Sequence, residues 1–103
     1  MSTLRGNKIF FIGIGGIGMS GLARYFNRHG AEVAGYDRSP SELTNQLLRE
    51  GIAVQFNEDV ALVPESFRTA DPKNVMVVRT PAVPLGTPLL NYWKEAGAQI
   101  LKR

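Results

Sequence analysis

A glycine-rich segment near the N-terminus has the residue types and spacing of a phosphate-binding loop. Gly13, Gly15 and Gly18 fill the pattern G-x-G-x-x-G directly after a short apolar run at 8–12, and a helix is predicted to begin at about Ile17. A helix that begins at such a loop presents free backbone N–H groups and a partial positive charge, and both attract anions. The segment therefore predicts a site for a diphosphate.

Each glycine of the pattern has a predicted role. We expect Gly13 to permit a tight turn, Gly15 to leave room for a diphosphate against the backbone, and Gly18 to let the helix pack closely on the strand. Gly16 is an additional glycine in the loop, and the hydroxyl of Ser20 could reach a phosphate oxygen. These roles make backbone N–H groups the main predicted ligands of the anion.

A carboxylate follows the loop at the spacing expected for a nucleotide site. Asp37 directly follows a second predicted strand, 22 residues after Gly15. In dinucleotide-binding folds an acidic residue about 20 residues beyond the loop meets a ribose hydroxyl. In the alternative interpretation, the glycines only form a turn and Asp37 only caps the next helix. Because loop, helix and carboxylate fit together, we predict a nucleotide that contains a diphosphate.

An alternation of short strands and helices positions these residues. Strands are predicted at 8–12, 32–36, 52–56, 75–78 and 99–101. Helices are predicted at about 17–28, from 39 to 50 and from 87 to 96. Right-handed crossovers then favour a five-stranded parallel sheet of order 3-2-1-4-5 in a three-layer, Rossmann-like α/β fold.

The second helix has a clear predicted start. Ser39 is predicted to cap it, with Pro40 in the first helical position and Glu42 completing a capping box. Its predicted buried face consists of three leucines: Leu43, Leu47 and Leu48. Residues 57–73 form the least regular stretch, with one helical turn predicted at 59–63.

Length and composition are those of one small globular domain. The chain has 103 residues, 44% of them hydrophobic and 20% charged, which argues against disorder. No apolar run reaches the roughly 18 residues of a membrane span, so we expect a soluble cytoplasmic protein. The net charge of +3 is spread along the chain and not gathered into a basic stripe. Neither a nucleic-acid nor a membrane partner is predicted.

Four other residues could take part in chemistry. His29 is the only histidine in a chain without cysteine, so we predict no metal site. It lies at a predicted helix end, where the dipole favours it, and no catalytic role is expected. Trp93 is expected to pack in the core or at a domain interface. Arg79 and Thr80 end a strand where α/β folds bind ligands, which makes both candidates.

The glycine segment from Ile12 to Gly21 resembles the opening of the Mur ligases of peptidoglycan synthesis. Within that family it is similar to the branch that joins L-alanine to UDP-N-acetylmuramate. The resemblance continues in three further segments, at 33–37, 80–84 and 94–97. It implies that residues 1–103 are the first domain of such a ligase, which binds the UDP part of UDP-N-acetylmuramate.

The resemblance also implies specific substrate contacts. The backbone of residues 15–20 is expected to cradle the UDP diphosphate, with Asp37 and the loop at 80–82 near ribose and uracil. The implied UDP-binding residues are Gly13, Gly15, Gly16, Ile17, Gly18, Met19, Ser20, Asp37, Thr80, Pro81 and Ala82. No catalytic residue is implied in this chain.

The rest of the family's machinery is not found in this sequence. In the family a central domain binds ATP and magnesium, and a third domain closes over the site. This chain has no G-x-x-x-x-G-K-[ST] loop and no acidic magnesium cluster, and it has Phe56-Asn57 where the family often has a Gly-His pair. We therefore expect the chain alone to be inactive, with ATP, Mg²⁺ and L-alanine used only by the full-length ligase.

Two other functions are compatible with the same residues. The NAD(P)-binding half of a dehydrogenase would use Gly13, Gly15, Gly18 and Asp37 in the same diphosphate–ribose geometry. A non-enzymatic nucleotide-sensing module would predict a stable dimer with an apolar helix face. The residues alone leave these alternatives open, and only the resemblance favours the ligase.

Overall fold

A parallel sheet with helices on both faces forms the fold of the computed structural model, which describes residues 7–84 and 86–103. The strands are β1 Lys8–Ile12, β2 Glu32–Tyr36, β3 Ala53–Gln55, β4 Val75–Arg79 and β5 Gln99–Lys102. The helices are α1 Ile17–Arg28, α2 Glu42–Arg49, α3 Glu65–Arg68 and α4 Pro88–Ala96. Two 3₁₀ turns lie at Val60–Leu62 and Pro72–Asn74.

The sheet has the predicted order, β3-β2-β1-β4-β5, with every pair parallel. Compared with the prediction, β3 is one residue shorter at each end, and β4 and β5 each extend one residue further. The central strand β1 pairs Ile12 with Tyr36 of β2 and with Arg79 of β4. The carboxyl ends of these three strands therefore meet where the strand order reverses, which is where open α/β sheets bind ligands.

Both faces of the sheet are buried, because successive side chains of a strand point to opposite faces. Ile9 and Phe11 pack with α1 and α2 in one core, whereas Phe10 and Ile12 pack with α3 and α4 in the other. All four are fully buried. Trp93 lies in the second core, with its ring 5.6 Å from that of Phe10, which confirms its predicted packing role.

The close approach between the first loop and the sheet depends on Gly35 of β2. A Cβ at this position would lie 2.7 Å from both the Phe11 carbonyl oxygen and Cδ1 of Ile14, so no side chain fits. Gly18 was predicted to serve this purpose, and that prediction was wrong. Gly18 is exposed, and its Cβ position meets only the Arg103 side chain, at 3.7 and 3.8 Å.

The start of α2 differs from the prediction by two residues. Ser41 is the N-cap: its Oγ accepts from the Thr44 N–H at 3.2 Å, and Thr44 Oγ1 accepts from the Ser41 N–H at 2.8 Å. The predicted box between Ser39 and Glu42 does not form, and Glu42 is instead the first helical residue. The buried side of the helix also differs in part from the predicted one. Thr44 is fully buried, whereas Leu48, which was predicted to be buried, is 45% exposed.

Residues 57–73 contain more structure than predicted. The expected turn is present as the 3₁₀ segment at 60–62, but α3 was not predicted. Phe67 of α3 is buried in the second core. A four-residue helix is too short to show a period in the sequence, so only its tertiary contacts reveal it. Among the described helices none combines the length and hydropathy required to cross a bilayer.

Candidate nucleotide-binding site

A cleft of about 700 Å³ opens at the carboxyl edge of the sheet. The loops that follow β1, β2, β3 and β4 form its walls. Six predicted site residues line it: Gly13, Gly16, Met19, Asp37, Thr80 and Ala82. The other five do not contribute to the lining: Gly15, Ile17, Gly18, Ser20 and Pro81. The structure therefore brings the glycine loop, the carboxylate and the 80–82 loop to one place.

The first turn of the glycine loop has the conformation that the sequence predicts. Gly13 has a φ of +93°, a region that only glycine adopts readily. A Cβ at this position would also collide with the methyl group of Thr80. The tight turn thus lets Thr80, at the end of β4, pack directly against the loop.

Asp37 ties the glycine loop to the end of β2. Its Oδ2 accepts from the Gly15 N–H at 2.8 Å, and its Oδ1 accepts from the Ser39 N–H at 3.2 Å. A Cβ on Gly15 would lie 2.7 Å from Oδ2 and 3.0 Å from Cγ2 of Thr44. The space at the Cβ position of Gly15 is therefore filled by Asp37 and Thr44, and the role of Gly15 in admitting a diphosphate stays a prediction.

The first turn of α1 lies beside the cleft, and of its three residues Met19 lines it. Gly16 is the N-cap, and its carbonyl accepts from the Ser20 N–H at 2.7 Å. Within the described part of the chain, the N–H groups of Ile17, Gly18 and Met19 have no acceptor. Ile17 is 85% exposed, so this turn is open to a ligand. The buried Ser20 hydroxyl donates to the Ile17 carbonyl at 3.1 Å, so a phosphate contact would require that bond to break.

A second carboxylate, that of Glu58, lines the cleft and was not predicted as a site residue. Glu58, after β3, accepts from the Leu89 N–H at 3.0 Å and so holds the first turn of α4. Burial raises the pKa of Tyr36, and the nearby carboxylates of Glu58 and Asp37 raise it further, whereas Arg38 lowers it. The missed lining residues are Tyr36, Arg38, Glu58, Val83, Pro84 and Thr87. A position just beyond a strand end is the signal that could have indicated Arg38.

The remaining candidates lie away from this cleft. Arg79 lines a second pocket of about 380 Å³ together with Lys94 and Lys102, so its predicted ligand role in the cleft is not supported. His29 caps the far end of α1, exposed and stacked on Tyr25 at 4.1 Å. Within 7–84 and 86–103, no three His, Asp or Glu side chains are grouped to hold a metal ion.

A family model described as the Mur ligase family, catalytic domain, matches residues 8–103. The chain belongs to the Mur ligase family. It is 50% identical over 103 residues to the UDP-N-acetylmuramate–L-alanine ligase of Phocaeicola vulgatus, covering 100% of this chain and 22% of that protein. The Porphyromonas gingivalis ligase of the same name is 46% identical over 96 residues, or 93% of this chain and 21% of that protein. The chain thus spans about a fifth of the length of these curated relatives.

Two solved structures share the fold. A crystal structure of the UDP-N-acetylmuramate–alanine ligase from Thermotoga maritima has a TM-score of 0.74 at 34% identity, covering 93% of this chain and 20% of that one. The second is a crystal structure of the UDP-N-acetylmuramate:L-alanyl-gamma-D-glutamyl-meso-diaminopimelate ligase from Neisseria meningitides. It has a TM-score of 0.75 at 29% identity and covers 93% of this chain and 28% of that one. The predicted α/β fold is confirmed, and the family favours a ligase over the dehydrogenase and sensing-module alternatives.

Proposed function

We propose that residues 1–103 are the N-terminal, UDP-binding domain of a ligase that joins L-alanine to UDP-N-acetylmuramate in peptidoglycan synthesis. One observation carries this proposal. In the described part of the chain, the three backbone N–H groups of the first turn of α1 have no acceptor. This turn adjoins a cleft of about 700 Å³ that Gly16 and Met19 line, in a chain half identical to a ligase named for that substrate.

The two ends of the cleft suit different parts of UDP. The free N–H groups of Ile17, Gly18 and Met19 bind the diphosphate, because they combine donors with the positive end of the helix dipole. Asp37 accepts from the ribose. Each of its oxygens accepts one backbone N–H, and a carboxylate offers about four lone-pair sites. The 80–82 loop forms the wall beside the uracil.

In this proposal the predicted residues that do not line the cleft shape the loop. Gly15 makes room for Asp37, and the Ser20 hydroxyl bonds within the first turn of α1. Gly13 and Gly16 line the cleft, and Pro81 lies in the turn that follows Thr80. Their contribution to UDP binding is through backbone shape.

ATP, Mg²⁺ and L-alanine are proposed as substrates or cofactors of the longer protein. The residues present do not fit ATP and Mg²⁺, because the described part holds no cluster of three or more His, Asp or Glu side chains that could hold a metal ion and the sequence has no phosphate loop. The amide-forming step is therefore assigned to the full-length ligase, and the chain alone is proposed to be inactive. The proposed nucleotide-linked substrate supports a cytoplasmic location, and no nucleic-acid or membrane partner is proposed.

Calorimetric titration with UDP-N-acetylmuramate, UDP, NADH and ATP tests the proposal. We expect saturable binding of the two UDP ligands and no response to NADH or ATP. Asp37→Ala is expected to weaken UDP binding about ten-fold, the size of a lost hydrogen bond to a charged group. The matched control is Asp71→Ala, since Asp71 caps a 3₁₀ turn before β4, at the opposite edge of the sheet. Preferential binding of NADH would overturn the proposal.

A further inference from the structure

An arginine side chain lies over the first turn of α1. Nη2 and Nε of Arg103 lie 3.7 and 3.8 Å from the position that a Cβ on Gly18 would occupy. The edge of the guanidinium that carries these two nitrogens therefore faces the helix. The Arg103 N–H donates to the Arg79 carbonyl at 2.9 Å, which continues the pairing of β5 with β4 and fixes where the side chain starts.

This is an unfavourable place for a cation unless an anion is bound. The first turn of a helix carries about half a positive charge, and the first turn of α1 contains no acidic residue. Every ion pair found in the described ranges joins other side chains, so none neutralises Arg103. The guanidinium and the helix end are both positive and therefore repel each other. An anion bound between them would attract both.

Arginine geometry matches a phosphate group. The Nε–Nη2 edge of a guanidinium donates two parallel hydrogen bonds to an oxyanion, which is the strong bidentate arrangement. Gly18 has no side chain, and apart from its chain neighbours and the helix's own backbone, the Arg103 guanidinium is what the described part of the chain places within 4 Å of its Cβ position. The guanidinium therefore lies beside the helix end that carries the free N–H groups.

We propose that Arg103 clamps the diphosphate of the nucleotide against the free N–H groups of Ile17, Gly18 and Met19. This inference rests on the proposed function and assigns it a diphosphate-binding side chain outside the glycine loop. It also gives Gly18 a role that differs from the predicted one. Gly18 leaves open the space that the diphosphate shares with the guanidinium.

A ¹⁵N-NMR titration of the chain with UDP and with uridine tests the proposal. We expect UDP to shift the amide signals of Ile17, Gly18 and Met19 in the wild type. Arg103→Gln is expected to weaken UDP binding about ten-fold, as for loss of a charge-assisted contact, and to leave uridine binding unchanged. The UDP affinity of Arg103→Lys is expected to fall between those of the wild type and Arg103→Gln, because an ammonium keeps the charge but lacks the bidentate edge.

Lys102→Gln is the matched control. It removes the same charge from the neighbouring residue, whose side chain lines the second pocket with Arg79 and Lys94. We expect it to keep wild-type affinity for UDP. Unchanged UDP affinity in Arg103→Gln, with the three amides still shifting, would overturn the clamp and leave the proposed function standing. An equal loss of UDP affinity in Lys102→Gln would show that the effect of Arg103→Gln comes from net charge alone, and it would overturn the clamp. A wild type that does not bind UDP would overturn both proposals.

Discussion

At the scale of single residues, the contact between Gly15 and Asp37 holds the nucleotide loop in shape. An alanine at Gly15 places a Cβ 2.7 Å from Oδ2 of Asp37, so the hydrogen bond to the Gly15 N–H must break or lengthen. We expect Gly15→Ala to weaken UDP binding about ten-fold and to lower the free energy of unfolding by about 1–2 kcal/mol. Calorimetry and urea unfolding measure the two effects.

Gly21→Ala is the matched control for that substitution. Gly21 lies inside α1, and apart from its chain neighbours and the helix's own backbone, no atom of the described residues lies within 4 Å of its Cβ position. Alanine is favoured over glycine in a helix interior by about 0.5–1 kcal/mol. We expect the variant to be more stable by that amount, with UDP affinity unchanged. Equal UDP affinities in Gly15→Ala and the wild type would contradict the role given to Gly15.

Tyr36 makes the cleft sensitive to alkaline pH. Burial raises its pKa above the ordinary 10.0, and Glu58 and Asp37 raise it further. The folded state then keeps a proton that the unfolded chain has lost. This contribution to stability is fully present below about pH 10 and is lost as the pH rises through the folded pKa.

Removal of the Tyr36 hydroxyl tests this pH dependence. We expect the free energy of unfolding of the wild type to decrease more steeply above about pH 10 than that of Tyr36→Phe. Urea unfolding at several pH values on either side of 10.0 measures both slopes. Parallel slopes for the two proteins would show that Tyr36 does not titrate differently in the folded state.

The sequence predicts those site residues whose positions depend only on the residues next to them in the chain. The loop at 13–18 and Asp37 follow from spacing alone, because a strand, a tight turn and a helix have fixed lengths. Tyr36 and Glu58 could not be assigned in this way. Glu58 reaches the cleft because it accepts from the Leu89 N–H, 31 residues further along the chain, and no local pattern specifies such a contact.

At the scale of elements, the boundaries of β1, α1 and β2 match the prediction, because an apolar run or a glycine marks each end. The start of α2 was wrong because two serines compete for the cap. Ser39 precedes a proline and an acidic residue in the favoured positions, but the box of Ser41 with Thr44 forms instead. With this cap Thr44 is fully buried. Tertiary packing, which the local pattern does not contain, decided between the two.

The two serines give a direct test of the cap. Ser41→Ala removes the Oγ that accepts from the Thr44 N–H, and we expect a loss of about 1 kcal/mol in the free energy of unfolding. Ser39→Ala is the matched control, because Ser39 takes part only through its backbone N–H, which donates to Asp37. Its stability is expected to stay within about 0.5 kcal/mol of the wild type. Equal losses in both variants would contradict the assigned cap.

At the scale of the whole molecule, β1 makes the two cores depend on each other. Phe11 points into the core under α1 and α2, and its neighbour Phe10 points into the core under α3 and α4. Both rings are fully buried. Because one five-residue strand supplies both cores, neither core keeps its packing if β1 leaves the sheet. The nucleotide loop begins at the end of the same strand, so site and cores are expected to form together.

Unfolding of two core variants tests this coupling. Phe10→Leu and Phe11→Leu are each expected to lower the free energy of unfolding by about 1–3 kcal/mol. The tryptophan fluorescence of Trp93 reports the second core, whereas far-UV circular dichroism reports all helices. In Phe11→Leu, the altered residue lies in the first core, yet we expect the two signals to change at the same urea concentration. Leu62→Ala, at a side chain 49% exposed, is the control and is expected to stay within about 0.5 kcal/mol of the wild type. A fluorescence transition separate from the dichroism transition would show that the cores unfold independently.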